Sequence, residues 1–275
     1  MKNYPMKKIC PLCKFENTEF FVIDYKKNQY WKCDKCKFVF QNPISEYSYS
    51  ENYWINAIDP DGKEKDQTKL KEFKLKNWYG EIPEFVKNKK PGKIFDVGCG
   101  LGYLLSSIPN TWKKYGSDSS DFAISFIKEN NPEIIIEKLN LEFPPNENQK
   151  NFDIVVCYHV IEHIENPDIF FKHLSMMVKD GGILIVGTPN IGSIGAKIFK
   201  GNFRLFGIGH LSLFNNKNLE GLFIKNNFKI IKKEYPFFKT AYFNIKNILR
   251  MINVRKISPP FYGNIMTYYA KKNNV

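Results

Sequence analysis

The sequence predicts an α/β protein: a mostly parallel sheet covered by helices on both faces, closed by an antiparallel edge and preceded by a small cysteine-based module. Three observations predict it. From residue 91 onward, short apolar runs alternate with helical patterns, and several runs are continuously apolar, as strands buried on both faces require. Two late runs, 228–235 and 264–271, lack a helical crossover of ordinary length between them, which suits an antiparallel edge. Four of the six cysteines fall within the first 40 residues, in two close pairs.

Those pairs are "CPLC" and "CDKC", Cys10, Cys13, Cys33 and Cys36, with nineteen residues between them. Two C-x2-C turns at such a spacing are the pattern of a four-thiolate zinc site, in which the four sulfurs close the tetrahedron and leave no open position. The metal is therefore expected to be structural. The intervening "FFVIDYKKNQYWK" alternates as a hairpin does. A redox dithiol would need a thioredoxin-like context that this stretch lacks. Phe20, Phe21, Tyr30 and Trp31 read as the core of a tiny domain, with base stacking as the alternative. The zinc module is assigned to residues 1–42.

Residues 43–90 read as a linker followed by an N-terminal helix. The helix is expected over 66–80, where Leu70, Phe73, Leu75 and Trp78 recur at roughly helical spacing and Gly80 ends the pattern. Tyr4, Tyr47, Tyr49, Tyr53 and Trp54 are candidates for an aromatic lid. Residues 91–275 form the main domain. Its strands are expected at 93–97, 113–117, 134–138, 153–158 and 182–187, then at 228–235 and 264–271. Its helices are expected at 101–108, 120–130, 166–178 and 216–226.

The first of those strands runs into "IFDVGCGLGYLL", Ile94 to Leu105, and ligands of open α/β sheets bind at such strand-to-helix turns. No Lys-Ser or Lys-Thr follows the glycines, so a P-loop is excluded. Gly98, Gly100 and Gly102 stand at alternate positions, and Tyr103 occupies the place where a dinucleotide fingerprint wants glycine. Asp96 precedes them. A carboxylate there repels a pyrophosphate and attracts an ammonium or sulfonium. Asp118, ending the second strand, is placed to accept hydrogen bonds from ribose hydroxyls. S-adenosylmethionine, cationic and free of phosphate, fits both.

Residues 91–190 resemble the core of the class I S-adenosylmethionine-dependent methyltransferases. The likeness lies in "FDVGCGLG", "YGSDSS", "LNLEFP", "NFDIVVCYHVIEHIENP" and "LIVGTPN", in that order, and it extends to about residue 271. The resemblance implies a Rossmann-like, seven-stranded sheet with its last pair antiparallel. It implies a cofactor site of Asp96, Gly98, Cys99, Gly100, Gly102, Asp118, Asn140, Leu141, Tyr158 and His159, with Asn140 standing where the family often has Asp. It makes 191–215 a lid-like insertion ending in a "GH-x-x-x-F" element. With the N-terminal module, the chain resembles a branch that includes sugar C-methyltransferases.

Methyl transfer to a hydroxyl or carbon must remove a proton, and histidine suits that task near neutral pH. His163, after the fourth strand, and His210, in the insertion, are the candidate bases. Glu162 and His173 are read as structural, and Cys99 and Cys157 as small buried residues. The resemblance favours a small polar acceptor, a sugar or a phosphorylated, nucleotide-linked intermediate of surface polysaccharide. The rivals are an RNA methyltransferase and a non-catalytic module that keeps the cofactor fold.

Net charge is +13, from 41 Lys and Arg against 28 Asp and Glu. The basic residues are densest from Lys225 to Lys256, without an RNA-binding signature. This excess reads mainly as a solvated surface. The amphipathic stretch 237–252 is expected to be a helix covering the acceptor pocket or a homodimer contact, with a membrane-surface helix as the alternative. No apolar run approaches the length of a membrane span, and no signal-peptide core is visible, so a cytoplasmic location is expected.

Overall fold

The computed structural model describes residues 8–45, 50–138, 144–147, 150–207 and 209–274. The chain begins with an antiparallel hairpin, β1 (Thr18–Ile23) and β2 (Gln29–Cys33), to which β3 (Val39–Gln41) adds as a third strand. A short helix, α1 (Glu51–Ile55), and a two-stranded ribbon, β4 (Ala57–Ile58) with β5 (Glu64–Lys65), follow.

The stretch 66–80 is not one helix. The Asp66 side chain accepts the Thr68 N–H and caps a 3₁₀ turn over Gln67–Lys69, after which α2 (Lys71–Asn77) starts afresh. Gly80 then takes a left-handed φ of +56° and redirects the chain into α3 (Ile82–Lys87).

The main domain follows the expected alternation closely. Its elements are β6 (Lys93–Val97), α4 (Tyr103–Ser107), β7 (Lys113–Ser117), α5 (Asp121–Asn130), β8 (Ile135–Glu137) and β9 (Phe152–Tyr158). Then come α6 (Pro167–Met177), β10 (Val178–Pro189), α7 (Ile194–Phe199), β11 (Ser212–Leu213), α8 (Asn216–Lys225), β12 (Phe228–Glu234), α9 (Ile245–Arg250) and β13 (Ile265–Lys272). Caps account for several starts. Ser120 accepts the Ala123 N–H before α5, and Asn215 and Asn218 form a reciprocal box before α8.

The strand order is β12-β13-β10-β9-β6-β7-β8. β6 to β10 run parallel, and β13 is antiparallel to both β10 and β12. This is the seven-stranded, mostly parallel sheet with an antiparallel edge. After β8 the chain crosses back to β9 on the other side of β6, so the order reverses there and opens a cleft beyond the strand ends.

Two further findings differ from the sequence-based expectation. The first concerns 237–252, of which only Ile245–Arg250 is helical. The Thr240 hydroxyl donates to the Phe237 carbonyl at 2.6 Å and holds a turn, and the Asn244 side chain accepts the Asn247 N–H, so the helix begins at residue 245. The second concerns the N-terminal module, which does not stand apart. β11, from the 191–215 insertion, pairs with β3 and completes a four-stranded sheet. Cys10, Trp31, Cys33, Phe38 and Phe40 share one core with Phe95, Phe152, Phe214 and Phe223 of the main domain. Tyr30 and Trp31 are buried, while Phe20 and Phe21 are more than a third exposed.

Candidate active site

The glycine turn forms one end of the cleft. Gly98 has φ +68°, and a Cβ there would lie 2.4 Å from Val160 Cγ2, so only glycine lets the turn pass beneath the loop after β9. Asp118 fastens the turn to the next loop: one carboxylate oxygen accepts the Gly100 N–H at 2.8 Å and the other the Ser120 N–H at 2.9 Å. Trp54 covers Gly100 from above, its indole N–H donating to the Ser120 hydroxyl at 2.9 Å.

Asp96 is different. It lies within the apolar strand β6 and is 3% exposed, and no group among the described residues donates a hydrogen bond to it. Burial and the nearby Asp118 charge push its carboxyl well above the usual range. Burial raises Asp118 too. Two carboxyls at one turn, one of them without a donor, leave a deficit of positive charge that a cationic ligand would fill.

The middle of the cleft is built around Glu162, which is wholly buried. His159, at a left-handed φ of +58°, donates through Nδ1 to Glu162 Oε1 at 2.9 Å. Thr188 Oγ1 donates to Oε2 at 3.0 Å, and His210 Nε2 lies 4.0 Å from Oε1. Burial opposes the charge on Glu162, but the His159 hydrogen bond and the surrounding imidazoles outweigh it and hold the carboxyl at about 2. Glu162 is thus held as an anion among three imidazoles. His163 Nδ1 donates to the Gly209 carbonyl at 2.9 Å, and His210 Nδ1 donates to the Leu205 carbonyl at 2.6 Å. These bonds set both tautomers and bring the two rings 4.8 Å apart, edge to face. Burial lowers both imidazoles, and with repulsion from His163 it pushes His210 down to about 3. Burial thus favours the neutral form of both rings.

The far end is apolar. The cleft holds about 800 Å³, and beyond the histidines its walls are Ile164, Leu205, Phe237, Phe261, Ile265 and the edge of Trp78. Trp78 donates to the Tyr242 hydroxyl at 2.7 Å, closing one side. Two cations also line the cleft, Arg204 and Lys138, but each is already paired, Arg204 with Asp61 at 3.5 Å and Lys138 with Asp121 at 2.7 Å.

A family model described as a methyltransferase domain matches residues 67–233, more than half of the chain. The chain belongs to this family. It is that of the class I S-adenosylmethionine-dependent methyltransferases, as the motifs around Asp96 implied. A ubiquinone biosynthesis O-methyltransferase of Rickettsia bellii is 32% identical over 124 residues, 42% of this chain and 47% of the relative. The mitochondrial ubiquinone biosynthesis O-methyltransferase of Dictyostelium discoideum is 30% identical over 223 residues, 68% of this chain and 67% of the relative. The chain spans about half the length of the first of these. A solved methyltransferase of Thermotoga maritima shares the fold, with a TM-score of 0.52, 18% identity, and coverage of 74% of this chain and 91% of that one.

The structure brings Gly98, Gly100, Asp118, His159, His163 and His210 to one cleft. Asp96 lies buried beneath the turn. The side chains of Cys99 and Tyr158 face elsewhere: Cys99 packs toward Gly116, and the Tyr158 hydroxyl donates to the Trp78 carbonyl. Gly102 caps α4 against Ile127 and does not line the cleft. Asn140 and Leu141 lie outside the described residues, as do Tyr4, Tyr47 and Tyr49. Trp78, Arg204, Tyr242 and Phe261 were not singled out as site residues. They reach the cleft from four separate segments, and none carried a local signal: even Arg204 is one of three cations in the insertion, beside Lys197 and Lys200.

The four N-terminal cysteines meet. Their sulfurs lie within 4.8 Å of one another, with Cys10–Cys36 at 3.7 Å and Cys13–Cys33 at 3.6 Å. A tetrahedron with Zn–S bonds of about 2.3 Å has edges of about 3.8 Å. The two turns are built alike: the Lys14 N–H donates to the Cys10 carbonyl and the Lys37 N–H to the Cys33 carbonyl, each at 2.9 Å, with both lysines left-handed.

Proposed function

We propose that the chain transfers a methyl group from S-adenosylmethionine to a hydroxyl on an acceptor with an apolar, ring-sized body. One observation carries this reading. The cleft has an acidic, glycine-lined end and an apolar end, and two neutral histidines stand where they meet. The carboxylate of Asp96 would hold the donor's ammonium, and Asp118, Gly98 and Gly100 would hold its nucleoside. The bound donor supplies an electrophilic methyl on a sulfonium, whose leaving group is already good.

The protein's own contribution is alignment, exclusion of water and acceptance of a proton. Trp54 and Tyr53 close the donor end. His163 or His210 would take the acceptor's hydroxyl proton. Glu162 steadies His159 and keeps a compensating negative charge beside the imidazolium that forms. The four cysteines would hold a structural zinc ion, which joins the turn before β1, carrying Cys10 and Cys13, to the turn between β2 and β3, carrying Cys33 and Cys36.

The relatives named for ubiquinone biosynthesis support an O-methyl acceptor with an apolar body. The sugar or nucleotide-linked acceptor expected from the sequence finds one support in the structure, the cations Arg204 and Lys138 on the cleft wall. Both are committed to carboxylates, which weakens that reading. The RNA reading is weaker still: Lys225, Lys232, Lys233, Lys239 and Arg250 of the late basic cluster are all in ion pairs. The test is a screen with methyl-labelled donor against alkyl-substituted phenols, nucleotide sugars and RNA. Label is expected in a phenol, with turnover falling in both His163→Ala and His210→Ala. Label confined to a nucleotide sugar would reject the proposed acceptor, and label in none would favour a silent binding module.

A further inference from the structure

The segment between the last two strands, Pro236 to Tyr262, is built inside out. On α9 and the turn after it, Ile245, Ile248, Leu249 and Ile252 are 76%, 43%, 59% and 80% exposed. They stand at i, i+3, i+4 and i+7, the stripe that normally faces a core. The residue turned inward is Asn247, whose amide donates to the Tyr242 carbonyl at 2.9 Å. Phe238, Phe243 and Tyr262 extend the same exposed surface, with Phe238 5.2 Å from Phe243 and 5.1 Å from Tyr262, ring to ring. An apolar surface of this extent marks an interaction site.

Charge identifies the occupant. Between Pro236 and Tyr262 there is no acidic residue and there are five basic ones, Lys239, Lys246, Arg250, Arg255 and Lys256. Among the described residues, Lys246, Arg255 and Lys256 have no acidic partner. A two-fold contact with a second copy would set these cations against themselves with no acid in the segment to meet them. A nucleic acid would find stacking partners in Phe238, Phe243 and Tyr262, but the stripe Ile245, Ile248, Leu249 and Ile252 is aliphatic and offers a base no ring to stack on. A bilayer with anionic headgroups satisfies both features, taking the isoleucines at the acyl boundary and the cations at the phosphates.

The surface is also continuous with the cleft. Phe237 stands between exposed Phe238 and cleft-lining Phe261, 5.4 Å from each. We propose that residues 237–262 dock on an anionic lipid surface and set the apolar end of the cleft against the bilayer, so that the acceptor is a membrane-resident molecule. The acceptor clause rests on the reading of that end as the acceptor site; the docking clause does not.

The experiment is sedimentation of the full chain with phosphatidylcholine vesicles, with and without phosphatidylglycerol. Binding is expected to the anionic vesicles and to fall with salt. The double substitution Ile248→Asp with Ile252→Asp, at exposed positions, is expected to weaken it by about tenfold or more. Calorimetry with S-adenosylmethionine is run on both proteins. Lost vesicle binding with donor affinity unchanged supports the docking surface. A wild-type chain that ignores anionic vesicles, or a variant that binds them equally well, overturns it. A wild-type dimer that the variant renders monomeric assigns the surface to a second copy instead. Absence of donor binding in both proteins would count against the proposed function and leave the vesicle result standing by itself.

Discussion

Asp96 is a side chain poorly placed for folding, to which the proposed function gives a role in binding. Its carboxylate is buried in a strand without a donor, next to a second carboxylate. Asp96→Asn should therefore separate the two effects. Affinity for S-adenosylmethionine, measured calorimetrically, is expected to fall by about tenfold or more, because a buried charge pair is lost. The thermal midpoint of the ligand-free protein should hold or rise, because an unpaired buried charge is removed. Unchanged affinity would remove Asp96 from the donor site. Asp96 was legible in the sequence because a lone acid in "IFDVG" interrupts an apolar run, and no folded context was needed to see it.

His210 makes a second prediction at this scale. Its folded value is about 3, against about 6.5 in an unfolded chain. Between those values the unfolded chain binds a proton that the folded one refuses, so stability falls as pH drops from about 6.5 toward 3, by at most about 1.4 kcal/mol per pH unit. His163, lowered by burial, acts in the same direction. Glu162, held at about 2, adds a loss that begins near its unfolded value of about 4.3. Urea midpoints should drop between pH 7 and pH 5, and by less in His210→Asn, which cannot titrate. Equal drops in the two proteins would mean that His210 is not kept neutral by burial.

At the scale of elements, the glycine turn and the loop after β9 fit together. The contact between Gly98 and Val160 is the point where they meet. Gly98→Ala should cost about 1–3 kcal/mol from its left-handed φ and more from the clash, read as a lowered urea midpoint. Adding Val160→Ala should recover the clash portion alone. If Gly98→Ala is neutral, the two loops are not packed as described. The strands and main helices of this domain were legible within one or two residues, except that β10 starts four residues before the expected 182, because apolar periodicity and caps are local. The stretches 66–80 and 237–252 were misread for a matching reason. Asp66 and Thr240 divert the backbone by side-chain hydrogen bonds that no periodicity records.

At the scale of the molecule, the cysteine module and the histidine site are one structure. The Tyr30 hydroxyl donates to the His210 carbonyl at 3.0 Å, and the Gln41 and Leu211 amides donate to the Leu211 and Glu162 carbonyls, both at 2.8 Å. The Asn218 amide donates to the Cys36 carbonyl at 2.7 Å. Metal analysis is expected to find about one zinc per chain. Its removal should loosen more than the hairpin: amide exchange is expected to rise at Leu211 and Ser212 as well as between residues 10 and 41, while β7 and α5 stay protected. Loosening confined to the first 45 residues would show the module to be an independent appendage.

The sequence by itself determined the sheet, the glycine turn and the four-cysteine cluster, because each is encoded by residues close together in the chain. The walls of the cleft proposed to hold the acceptor and the attachment of the module were decided only by tertiary structure. Trp78, Arg204, Tyr242 and Phe261 converge from segments up to 183 residues apart in number, and β3 finds β11 across 171 residues. Such pairings are stabilised by burial of surfaces from both partners at once, and neither partner's local pattern names the other.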